Sequence, residues 1–190
     1  MTLYHGSKVA DIRSLEPRSK LHGSPEEKVV YLSGSIPYAL VYIWDCEKTG
    51  YSGKWVTCAL KSGVVHYEEM FPDQLKAFYE GVSGYLYFVE QTSEMERMPE
   101  SHEDMFFSKK PVPVGEVVFV EDVYRELLRY EAEGSLVVHR FTEAAEEEQE
   151  KRIQHMVMGI ERDGLLDSDS EKARFVRKYF KQAWELAESH

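Results

Sequence analysis

The chain has 190 residues, 43% of them hydrophobic and 30% charged, with a formal net charge of −11. That length suits one domain with room for an appendage and a substantial core. The acidic balance, without a basic tract longer than two residues, repels polyanions and argues against a nucleic-acid partner, though not against a local basic pocket for one small phosphate ligand.

Short β-rich runs alternate with turn signals over the first two thirds of the chain. Strands are expected at "TLYH" (2–5), "VVYLS" (29–33), "KWVTCAL" (54–60), "YLYFVE" (85–90), "EVVFVE" (116–121) and "SLVVHR" (135–140), from their β-branched and aromatic content. The stretch "GVVHYEEM" (63–70) is a weaker seventh. Between the second and third strands, 35–48 predicts a helix, with Ser35 as its cap and Pro37 in the first turn, where a missing N–H costs nothing. A second helix is expected over 72–81. A third covers 121–134, with Val123, Leu127 and Tyr130 on one face and Gly134 as its stop. After Phe141, acidic residues open a helix that carries Ile153, Met156, Val157 and Ile160 at helical spacing. A turn at 165–171 leads into a last amphipathic helix, its apolar stripe running from Phe175 through Phe180 to Trp184 and Leu186. The expected architecture is α+β: a mainly antiparallel body over 1–141, and a C-terminal helical hairpin over 142–190 that packs on the body or on a second copy as a homo-oligomer.

Cys46 and Cys58 lack metal-ligand spacing and are too few for a disulfide framework, which suggests a reducing compartment. The N-terminus has no apolar stretch of the signal-peptide kind, and no run approaches 18 apolar residues. A cytoplasmic location, away from membranes, is the expectation. The seven histidines are scattered without an H-x-x-x-H pair, so no metal site is expected. His139 reads as a strand histidine that is solvent-facing or hydrogen-bonded, and His102 as an exposed loop residue. The motifs G-x-S-x-G, G-x-x-x-x-G-K-[ST] and G-x-G-x-x-G are absent.

The chemistry-bearing candidates lie near the start. Tyr31 stands at a strand end and Tyr42 eleven residues later in the helical segment, so a strand–turn–helix can face their rings and form a slot for a flat aromatic ligand. Gly6, beside His5, lets backbone approach the rim of that slot and offers one donor and one acceptor to a carboxamide. Simpler readings compete: His5 as a strand histidine satisfying a buried carbonyl, and Tyr31 and Tyr42 as core aromatics in a chain with 12 tyrosines.

"LYHGS", "VVYLS…YALVY" and "GEVVFVEDVYREL" together resemble the ADP-ribosyltransferase fold in its His-Tyr-Glu branch, which includes diphtheria-type toxins and poly-ADP-ribose polymerases. The resemblance implies a split, mainly antiparallel sheet and NAD as substrate. It gives His5 the ribose hydroxyl, Gly6 the nicotinamide amide, and Tyr31 and Tyr42 the two faces of the nicotinamide ring. Glu116 would bind the ribose 2′-hydroxyl and stabilise the oxocarbenium-like state, with Glu90 and Glu121 as competing carboxylates. His5, Tyr42 and Glu116 are then the catalytic candidates. Where the family often has a serine, this chain has Ala39, and Ser33 and Ser35 are the available substitutes. The loop 15–28 would cover the adenosine side, with Arg13, Arg18 and Lys20 as candidate pyrophosphate contacts. The implied activity is NAD-dependent mono-ADP-ribosyl transfer or NAD cleavage, with an unknown acceptor, a protein included. The alternative is a catalytically silent domain of the same fold that binds a nucleotide or a protein.

Overall fold

The computed structural model describes residues 1–98 and 104–189; His102 lies outside them. The strands are β1 (Thr2–Ser7), β2 (Ser14–Leu15), β3 (Ser19–Leu21), β4 (Ser24–Ser33), β5 (Cys58–Lys61), β6 (Val64–Glu68), β7 (Gly84–Glu90), β8 (Glu96–Arg97), β9 (Met105–Ser108), β10 (Val112–Pro113), β11 (Val117–Val120) and β12 (Leu136–His139). The helices are α1 (Ile36–Leu40), α2 (Cys46–Thr49), α3 (Gln74–Tyr79), α4 (Val123–Ala132), α5 (Glu146–Arg162), α6 (Glu171–Tyr179) and α7 (Lys181–Glu188). The class is α+β with a mainly antiparallel sheet, as expected.

The main sheet runs β11-β7-β1-β4-β9-β8, with β3 also paired to β4. A second sheet runs β12-β6-β5, and its β6–β12 pair is parallel. Period-two alternation sorts the main sheet's side chains between two cores. Leu3, Val30, Leu32, Val89 and Phe106 pack on one face with Leu15 and Val112 from the β2–β10 ribbon. On the other face, Val29, Leu86, Phe107 and Val120 join the larger core.

Between β1 and β7 the pairing is continuous from Thr2↔Glu90 to Ser7↔Tyr85. Between β1 and β4 it consists of Tyr4↔Ser33 alone. Beyond that pair the two strands part, and the parting opens the cavity described below.

The segment 35–48 is not one helix. Ser35 does cap α1, its hydroxyl accepting from the Tyr38 N–H. The chain then turns, and Asp45 caps α2 by accepting from the Glu47 and Lys48 N–H groups. Val41, Ile43 and Trp44 are all buried, more sides than one short helix can bury at once, and Asp45 supplies a ready second start. In the expected strand 54–60, regular pairing begins only at Cys58.

The C-terminal region forms α5 followed by α6 and α7, which break at Phe180 (φ −106, ψ 49). The apolar stripe of α6 and α7 is spent inside this chain. Phe175 packs on Trp44, Tyr51 and Phe78, while Phe180 packs on Trp55 and Phe71. Residues from both expected segments therefore belong to one continuous core. No helix among the described residues is long and apolar enough to cross a membrane.

Candidate functional site: an aromatic cavity where two strands part

A cavity of about 500 Å³ lies between β1, β4 and α1. His5, Gly6, Tyr31, Ser33 and Tyr42 all line it. Four of them come from two neighbouring strands, and Tyr42 comes from the turn just after α1, so all five lie within the first 42 residues.

His5 spans the gap between the parted strands. Its Nδ1–H donates to the Tyr31 carbonyl at 3.0 Å. A carbonyl only accepts, so this bond sets the neutral tautomer and leaves Nε2 as a free acceptor. Burial lowers the pKa of His5 below its ordinary value, with a smaller push from the Lys54 charge working against the Tyr31 bond. The ring is thus neutral near pH 7 and can receive a ligand hydroxyl.

Gly6 has a structural reason of its own. A Cβ there would sit 2.1 Å from the Ala39 carbonyl oxygen and 3.0 Å from Ile43 Cγ1. The end of α1 rests directly on β1, and only glycine permits that approach. Ala39 itself lines the cavity.

Tyr31 is held by its hydroxyl, which donates to the Lys20 carbonyl at 3.0 Å and accepts from the His22 N–H at 2.8 Å. Most of the expected covering loop 15–28 is accordingly paired structure: β3, a turn and the start of β4. Ser19 and His22 from this hairpin line the cavity. Arg13, Arg18 and Lys20 are exposed and outside the lining.

Tyr42 lies beside Tyr38, with ring centroids 5.6 Å apart. Burial drives the Tyr42 phenol well above its ordinary pKa and raises Tyr38 as well, so both remain protonated donors. Ser33 is buried, its hydroxyl accepting from the Ser35 N–H at 3.0 Å. Ser35 is occupied as the α1 cap and does not line the cavity.

Lys54 supplies the charge. Its ammonium donates to the Tyr42 carbonyl at 3.1 Å and sits 5.4 Å from the Tyr42 ring centroid. Lys54 is an exposed residue, and the protein packed around its ammonium partly desolvates it and lowers its pKa. Among the described residues no carboxylate pairs with Lys54, and none lines the cavity. Lys54 also borders a larger, open cleft of about 1010 Å³ between segment 54–59 and α5. Cys58, on that cleft, has its thiol pushed up to about 12 by burial and is no nucleophile.

The carboxylates named from the sequence stand elsewhere. Glu116 is exposed, and its carbonyl accepts from the Phe88 N–H on β7, which separates it from β1 by one whole strand. Glu90 and Glu121 are exposed too, and none of the three lines the cavity. The resemblance gave the third segment's glutamate to the same site as His5, but β7 stands between β11 and β1.

Sequence reasoning missed Tyr38, Lys54, Met98 and Met105 in the lining. Tyr38 had a signal, four residues ahead of Tyr42 in a helical stretch. Lys54 had none, because it arrives from an irregular segment. His139 is exposed and hydrogen-bonded as expected: its Nε2 and the Nδ1 of His66 are 3.0 Å apart on the second sheet, away from the cavity.

No family model, curated protein or solved structure matches the chain.

Proposed function

We propose that the cavity is an NAD site of the ADP-ribosyltransferase kind. One observation carries this reading: His5, Gly6, Tyr31, Ser33 and Tyr42, placed in order along the first two motifs, line one cavity of about 500 Å³. The volume lies within the range of small-molecule pockets. Tyrosine walls suit the nicotinamide ring, the Gly6 backbone suits its amide, and the free Nε2 of His5 suits a ribose hydroxyl. Lys54 offers the diphosphate a cation that no carboxylate among the described residues pairs with.

This reading has two forms, which differ in one step. In the enzymatic form the chain is a mono-ADP-ribosyltransferase or NAD-cleaving enzyme of unknown acceptor. Nicotinamide leaves as a neutral molecule while positive charge grows on the ribose, and a carboxylate must stand beside that charge. In the second form the chain binds NAD or a related nucleotide without cleaving it. The second form needs only the binding groups that line the cavity.

Calorimetric titration with NAD, followed by chromatographic assay of released nicotinamide, tests both. Binding with release supports the enzyme, and binding without release supports the silent module. No binding at millimolar NAD overturns the NAD reading altogether.

A further inference from the structure

The far end of the main sheet carries a surface that the cavity does not use. β11 is the terminal strand, paired on one side with β7 over Val117↔Tyr87 to Val120↔Gly84. Val117, Val118 and Phe119 are 48%, 39% and 57% exposed, three consecutive large apolar residues in the open. Single exposed apolar residues are ordinary, but a run of them along a sheet edge is not.

The edge also offers backbone. The Phe88 N–H donates to the Glu116 carbonyl, so positions 116, 118 and 120 turn their N–H and C=O groups toward β7. By the alternation of an antiparallel ladder, Val117 and Phe119 turn theirs outward. Proteins usually blunt such an edge with lysine, proline or a bulge. The residues of β11 include none of the first two, and its register with β7 is unbroken over 117–120, the two-to-one pairing of Gly115 and Glu116 with Phe88 falling just before it.

Beside the edge, a groove of about 340 Å³ runs between β11 and α4. Leu86, Phe88, Val118 and Tyr130 give it an apolar lining. A strand laid along β11 would drop alternate side chains into this groove, and the others would lie beside Val117 and Phe119.

Charge selects the occupant. Glu116 and Glu121 bracket β11 and are both exposed. The far wall, on α4, is internally balanced: Arg129 bridges Glu126 and Glu133, and Arg125 stands beside them. Antiparallel pairing of two copies would bring Glu116 of one within a residue of Glu121 of the other, on chains that each carry −11. Like charges across a strand pair are unfavourable. A strand with cations at its ends meets both glutamates with opposite charge.

We propose that the outer edge of β11 is a β-augmentation site for an extended segment of a partner protein, with alternating apolar residues flanked by lysine or arginine. Main-chain hydrogen bonds supply affinity there, and the groove and the two glutamates supply selectivity.

The test uses the full chain and two labelled peptides, acetyl-Lys-Lys-Val-Thr-Val-Thr-Lys-Lys-amide and its counterpart with glutamate at the four lysine positions. Fluorescence anisotropy should show the lysine-flanked peptide binding at least tenfold more tightly. Phe119→Lys, at an exposed position that tolerates charge, should weaken that binding at least tenfold while leaving the melting temperature unchanged. Glu121→Lys should shrink the preference for lysine flanks. Equal affinity for the two peptides, or no binding at 1 mM, overturns the proposal. So does a dimer in sedimentation that Phe119→Lys dissolves, since the edge would then serve a second copy.

Discussion

The side chain of His5 donates to the main-chain carbonyl of Tyr31 at 3.0 Å, across the point where β1 and β4 stop pairing. One hydrogen bond thus stands in for the missing ladder and aims the other ring nitrogen at the cavity. This is also the simpler role the sequence allowed for His5, a histidine satisfying a carbonyl, and the two roles coexist because imidazole has two nitrogens.

Affinity for NAD should fall with pH in a defined direction. The pKa of folded His5 lies below the ordinary 6.5, so the ring is neutral at pH 7 and Nε2 is able to accept a hydrogen bond. Binding should be level between pH 6.5 and 7.5 and weaken as pH drops through the depressed His5 pKa. The unfolded chain takes up this proton more readily than the folded one, so stability from His5 is likewise present at neutral pH and declines as pH falls below 6.5. Titrations at several pH values check this, and His5→Ala should remove the His5 step from the profile.

Gly6→Ala should destabilise the fold by about 2 kcal/mol or more, since the added methyl meets the backbone carbonyl of Ala39 rather than a flexible side chain. Urea unfolding reads the change. A wild-type midpoint would mean that α1 can lift away from β1.

Tyr42→Ala should weaken NAD binding by about 1–2 kcal/mol through loss of one stacking face. Calorimetry measures it, alongside a melting curve, because Tyr42 also packs against the core. Tyr31→Phe should leave the stacking face in place but release the hairpin anchor on Lys20 and His22, raising proteolytic sensitivity near residue 22.

The position of Glu116 outside the cavity predicts that Glu116→Gln leaves NAD affinity within about twofold. Loss of a charge that stabilised the developing ribose cation would instead cut nicotinamide release by about 10²–10³-fold. Such a drop, in a protein that cleaves NAD, would show that the β11 end reaches the bound ribose. An unchanged rate would assign that role to another carboxylate.

Trp184→Ala should cost about 3–5 kcal/mol, the range for removing a large buried aromatic. Trp184 is buried, and its indole N–H donates to Glu188 at 2.8 Å. Deleting residues 143–190 should expose the aromatic cluster around Trp44 and Phe78 and cause aggregation. Sedimentation of the truncated chain decides it; a soluble monomer with the parent melting temperature would show that the body holds its core alone.

Much of this protein was legible in its residues. β-branched and aromatic content placed β1, β4 and β7, caps and apolar spacing placed α1, α4 and α5, and the run "TLYHGS…VVYLSGSIPYALVY" carried five of the cavity's lining residues. The two motifs are near in sequence, but β1 meets β4 only at Tyr4↔Ser33 and is held along its length by β7. The tertiary structure decided the rest. It inserted β7 between β1 and β11 and so set Glu116 apart; it delivered Lys54 from an irregular segment, and Met98 and Met105 from either side of residues 99–103. It also spent the C-terminal aromatic stripe on the chain's own core. Periodicity tells which face a residue takes, but strand order and long-range docking follow from how whole faces pack, and no short stretch of sequence encodes that.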